Sequence, residues 1–211
     1  MAAQNLDKVE QAFRAGHDWL TDAPDNRAGP DITASDPPRE RLPVAAVVPI
    51  MEMRGFLLFW SVLTAFVAAL SLGPSFAHVL ESLPRLTKWS PALWREATVF
   101  NGQFVLFAVI GAPLDIAAVL CPALLAWMLR GQAGAFWFVL AATLLYAVSL
   151  ALWFALVKPA NDVLATWAPG PIPDNFEAVR LRWETGHMAV TAAKALGFIS
   201  LCFGLLGVRH G

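Results

Sequence analysis

The chain has 211 residues, 57% of them hydrophobic and only 15% charged, with 15 Lys and Arg against 16 Asp and Glu. That composition places it in the membrane class, and a net charge near zero removes the electrostatic case for nucleic acid or another polyanionic partner. Cys121 and Cys202 lie inside apolar runs and read as small packing residues, not as a disulfide framework.

Residues 1–53 form a polar N-terminal extension, expected to be mostly disordered. Leu6, Val9, Phe13 and Leu20 recur at roughly helical spacing, so a short amphipathic helix that meets a protein partner is one expectation there. Asp7, Lys8, Glu10 and Arg14 interrupt the start too early for a signal peptide. From Asp22 to Pro43 the chain is rich in Pro, Asp and Arg and reads as a linker. The apolar run from Val44 to Met51 is too short to cross a bilayer, and Glu52 and Arg54 end it.

Residues 54–211 carry four long apolar stretches, at about 55–79, 99–129, 133–157 and 187–208. Each meets the roughly 20 residues a helix needs to cross the hydrocarbon core, and none alternates as a barrel strand would. The expected fold is therefore all-α, an integral membrane four-helix bundle in contact with the lipid bilayer. A multi-pass protein of the bacterial inner membrane is the expected localisation. Trp89, Trp94, Trp167 and Trp183 fall on the side of the two long loops, and Trp60, Trp127 and Trp137 toward the other, as two aromatic belts would. Basic residues are divided between the two sides, so charge bias does not fix the orientation.

With four spans, four helix ends meet on the loop face and gather most of the usable polar chemistry. His78 and Glu81 close the first span, and Glu96 and Asn101 enter the second. Lys158, Asn161 and Asp162 leave the third, and Arg180, Arg182, Glu184 and His187 enter the fourth. The spacings His78-x-x-Glu81 and Glu184-x-x-His187 mirror each other across antiparallel spans. Each His then lies roughly 4.5 Å deeper than its Glu. Ionisable residues at such depth are costly and mark functional sites by default.

Three chemistries fit this set. A transition metal could be held by His78, Glu81, Glu96, Glu184 and His187, since Glu-x-x-His is the spacing of bundle di-iron sites, although a second carboxylate helix is missing. Alternatively no cofactor is required: His78 or His187 is a general base beside a lipophilic small molecule, with Glu184 orienting the ring. Asn101, Asn161 and Arg180 would then hold a developing oxyanion. Lastly, the same residues can cap helix ends and bridge loops. Asp115, mid-span after Pro113, needs a partner, and Lys194, Tyr146 and Ser149 are the choices. Counted from the loop face, Asp115 lies more than two turns deeper than Lys194. That argues against direct pairing and for a packing or assembly role, with a proton relay second.

The blocks GPSFAH (Gly73 to His78), EATVFNGQF (Glu96 to Phe104), KPAND (Lys158 to Asp162) and RLRWETGH (Arg180 to His187) resemble a family of small four-span membrane proteins named for its anthrone-oxygenase members. The similarity covers about 55–208 and leaves out the N-terminal extension. It implies an oxygenase that converts an anthrone to an anthraquinone with molecular oxygen, although many bacterial members have no assigned activity. On that reading His187 and His78 are the bases. The expected function is thus a membrane-embedded oxidoreductase acting on a lipophilic aromatic or quinol-like compound. The alternative is a non-catalytic membrane subunit that docks a partner complex.

Overall fold

The structure, a computed structural model, describes residues 44–101 and 107–208, with side chains from residue 55 onward. The expectations for residues 1–43 lie outside the described residues. Four long helices build the domain. Helix α1 spans Val44–Thr87. After a short turn, α2 (Pro91–Arg95) begins at the N-cap Ser90, whose side chain accepts from the Leu93 N–H at 3.2 Å, with Pro91 in the first turn where its missing donor costs nothing. A π-helical stretch follows at Glu96–Phe100, and another at Phe107–Gly111 leads into α3 (Ala112–Met128). Helix α4 (Ala133–Leu152) passes through a π-helical turn at Trp153–Val157 into α5 (Lys158–Leu164), and α6 (Phe176–Leu206) ends the bundle.

Four segments are long and apolar enough to cross a membrane: Gly55–Thr87, Val109–Met128, Ala133–Leu164 and Phe176–Leu206. The outward faces carry large apolar side chains such as Phe59, Phe66, Leu120, Leu144 and Phe203, each about half exposed or more. In water that surface would be a liability, and in a bilayer it is the lipid contact. The chain is a multi-pass all-α membrane bundle, as its composition implies.

The helix bounds differ from those read off hydropathy. Helix α6 starts at Phe176, well before the expected start at residue 187, and α1 runs on to Thr87 past the expected end at residue 79. Both extensions are charged yet helical: Glu81 pairs with Arg85 and Glu177 with Arg180 along their own helices, and Arg180 reaches across to Leu86 O on α1. Apolar length marks what lipid covers, not where a helix stops.

Around the bundle α1 packs on α3 and α6, and α4 packs on α3 and α6. Helix α6 approaches α4 through glycines. A Cβ at Gly204 would stand 2.6 Å from Val139 Cγ2, and one at Gly197 would touch the Tyr146 ring at 3.1 Å. Without a hydrophobic driving force in lipid, such close backbone approach and interhelical hydrogen bonds hold helices together. On the turn side the core is apolar, built on Ala68, Ala118, Leu125, Val139 and Leu201, and Tyr146 Oη crosses it to donate to Ala68 O at 3.0 Å. On the loop side the core is aromatic, built on Trp94, Phe176 and Trp183.

Candidate functional site

Two stripes at heptad spacing make the seam between α1 and α6. On α1 they are Ser61, Thr64, Ala68, Ser71, Ser75, His78, Ser82 and Arg85, all buried except the half-buried His78. On α6 the matching stripe is Arg180, Glu184, His187, Thr191, Lys194 and Leu201. Heptad repetition keeps one face of each helix against its partner, so a polar stripe on each places polar side chains opposite one another inside the bundle.

The seam brings the two histidines into contact. Their rings stack with centroids 4.5 Å apart and planes 27° from parallel. Trp183 closes one side, 4.4 Å from the His187 ring and 5.3 Å from the His78 ring, both in edge geometry. Trp94 packs on Trp183 at 5.7 Å, again edge to face. Two imidazoles and two indoles thus form one aromatic cluster between α1, α2 and α6, a favourable arrangement for π systems.

The carboxylate of Glu184 belongs to this cluster by a different route than expected. Its Oε1 accepts from Trp94 Nε1 at 2.9 Å, so it faces the indole of α2 and does not orient His187. The residue is 1% exposed, and Oε2 has no hydrogen-bond partner among the described residues. Asn161 also differs from expectation: its Oδ1 accepts from Trp183 Nε1 at 2.8 Å, so this side chain fixes the indole with its oxygen. Arg180 straps α6 to the end of α1, donating from Nη2 to Leu86 O at 2.9 Å, with Nε 3.4 Å from Glu177 and the guanidinium over Phe176. Its charge is already directed at protein groups.

Glu81 pairs with Arg85 one turn along the same helix, and Arg85 lies between the Trp89 and Trp183 rings at 5.4 and 5.8 Å. Glu96 and Asn101 are exposed. Among the described residues, no three His, Cys, Asp or Glu side chains are grouped so that they could hold a metal ion. The expected ligand set is therefore dispersed: Glu81 turns to Arg85, Glu184 to Trp94, and Glu96 outward. Above the cluster, Arg95 donates to Gly170 O at 2.6 Å and Pro171 O at 2.8 Å, holding the loop where Gly170 takes φ +144°. Only glycine adopts that conformation without strain.

Two assignments made from sequence need correction. Trp94 and Trp183 are fully buried and not interfacial anchors, because each indole N–H has an acceptor on another helix. Trp127 and Trp137 are exposed, as belt residues are. The second correction is Asp115, which pairs directly with Lys194: Nζ to Oδ1 is 2.6 Å. Depth counted from the loop face misleads because α6 begins at Phe176 and not at residue 187, which places Lys194 about three turns deeper than hydropathy implies. Counted from the turn-side ends at Met128 and Leu206, both residues lie about 20 Å in.

The α1 stripe itself was not among the expected site residues, His78 apart. Ser61, Thr64, Ala68, Ser71, Ser75, His78 and Ser82 were legible as a seam by their alternating spacing of three and four. No protein-family model, curated protein or solved structure matches this chain.

Proposed function

We propose that the chain is a membrane-embedded oxidoreductase of the oxygenase type. Its substrate is a lipophilic aromatic or quinol-like compound, and its working site is the His78–His187 cluster. The observation that carries the reading is the stacked imidazole pair at the loop-side end of the bundle, walled by Trp183, which Trp94 backs. A neutral imidazole is a base that needs no cofactor to take a proton. Like charges 4.5 Å apart repel, so the pair acts as an acceptor for one proton at a time. Aromatic walls suit a flat substrate arriving from lipid.

In the reaction, one histidine takes a proton from a ring CH2 flanked by a carbonyl-bearing ring system, leaving an electron-rich enolate. The enolate reacts with O2: the carbon becomes a carbonyl with one oxygen atom, and the other leaves as water with the two hydrogens. This is the chemistry of the anthrone-oxygenase group whose sequence blocks the chain resembles. Residence in the bacterial inner membrane belongs to the same proposal. Glu184, Asn161 and Arg180 serve by holding Trp94, Trp183 and the α1–α6 junction, not by meeting the oxyanion.

The test is oxygen uptake by purified protein in lipid nanodiscs supplied with an anthrone. General-base catalysis is worth about 10²–10⁴-fold, so His78→Ala with His187→Ala is expected to slow turnover by at least roughly a hundredfold. Unchanged uptake by a normally inserted double variant overturns the proposal. A second reading, a non-catalytic subunit, is favoured by the pairing of Glu81 with Arg85 and Asp162 with Lys158 inside their own helices, which leaves these charges little chemistry of their own.

A further inference from the structure

The polar seam continues below the histidines. Lys194 Nζ donates to Asp115 Oδ1 at 2.6 Å, to Ser75 Oγ at 3.0 Å and to Ser71 O at 3.2 Å. Asp115 Oδ1 also accepts from Ser71 Oγ at 2.7 Å. One turn toward the histidines, Thr191 Oγ1 lies 2.9 Å from Ser75 O and 2.8 Å from His187 O. Lys194 is 3% exposed. A single charge pair therefore ties α1, α3 and α6 in the lipid-covered part of the bundle.

An ammonium has three protons, and here each has an acceptor. Bound on three sides to α1 and α3, the ammonium is a strut between helices. What it fixes is register. The α1 stripe is mostly small side chains, Ser61, Thr64, Ala68, Ser71, Ser75 and Ser82, which by shape alone allow one helix to slide or turn on the other. A slip of one residue shifts His78 by ~1.5 Å along the axis and turns it by ~100°, enough to undo ring stacking. Buried polar groups that choose one register are the best attested use of such pairs, since replacing them with apolar residues often leaves stability unharmed.

We propose that Asp115 and Lys194, with Ser71, Ser75 and Thr191, are positioning residues that set α1 on α6 and so hold His78 against His187. The functional meaning rests on the proton-accepting reading of the histidines, but the geometry can be tested without turnover. In the full chain with Cys121→Ala and Cys202→Ala, His78→Cys and His187→Cys are introduced and the protein is placed in lipid nanodiscs. Disulfide formation under mild oxidant is followed by mass spectrometry. With Asp115 and Lys194 intact the crosslink forms readily. With Asp115→Leu and Lys194→Met together, which leaves neither charge stranded, it is expected to form roughly tenfold more slowly. An equal rate overturns the proposal.

If that double variant does not insert and fold, Ser75→Ala with Thr191→Val removes two seam bonds and keeps both charges. It is expected to slow the crosslink as well, and an unchanged rate there overturns the proposal equally. A crosslink that depends on Asp115 and Lys194 beside a histidine pair with no effect on oxygen uptake would sink the oxygenase reading and leave this one standing.

Discussion

Replacing Trp94 by Phe keeps an aromatic ring in the cluster and removes part of the indole, including the N–H that donates to Glu184 Oε1 at 2.9 Å. Glu184 is 1% exposed and its Oε2 has no partner among the described residues, so the substitution strands the whole carboxyl group inside the bundle. A hydrogen bond to a charged group contributes about 1.5–3 kcal/mol. The smaller ring leaves unfilled space worth roughly 1 kcal/mol more. Trp94→Phe is therefore expected to cost about 2.5–4 kcal/mol. Glu184→Met strands the indole instead, at about 1–3 kcal/mol. Made together they strand nothing, so the double variant should lose less than the two singles added, with a coupling of about 1.5–3 kcal/mol. Unfolding by SDS in mixed micelles, followed by circular dichroism across the four proteins of the cycle, measures this directly. A coupling within about 0.5 kcal/mol of zero would refute the idea that this bond docks α2 onto α6.

Other outcomes follow from the packing and the loops. Gly204→Ala places a Cβ 2.6 Å from Val139 Cγ2 and 3.2 Å from Val139 N, and overpacking of that kind costs about 1–3 kcal/mol. Gly73→Ala, with nothing within 4 Å, should be neutral or stabilise by up to about 1 kcal/mol; the same unfolding assay showing both equal would contradict the α4–α6 contact. Lys194→Met alone leaves the Asp115 carboxylate without its cation, at about 3–5 kcal/mol, and adding Asp115→Leu should recover most of that loss. Arg95→Ala removes both donors to the 165–175 loop, so limited proteolysis should cut that loop faster while the spans stay protected; an unchanged cleavage rate would count against the strap.

Hydropathy was enough to show four membrane helices, because lipid contact is a property of single side chains summed over a stretch. The meeting of His78 and His187 was legible for a related reason: mirrored spacings on antiparallel helices fix depth by counting. What counting could not supply was azimuth and partner choice. Glu184 is one turn from His187 on the same face, yet its carboxylate satisfies an indole from a five-residue helix that no apolar pattern announces. Trp94 and Trp183 carry the composition of interfacial anchors, and only their acceptors on other helices show that they are core. Asp115 and Lys194 were misjudged because apolar length set the start of the fourth span at residue 187, whereas α6 begins at Phe176, about three turns earlier.

The central claim is that this protein meets its ligand at the stacked histidines. The chain has four histidines, His17, His78, His187 and His210, so imidazole resonances of isotope-labelled protein in nanodiscs report on few sites. Titration with a lipophilic phenol that cannot turn over is predicted to shift the ring signals of His78 and His187 together. Saturable binding that leaves the His78 and His187 signals in place would contradict the account.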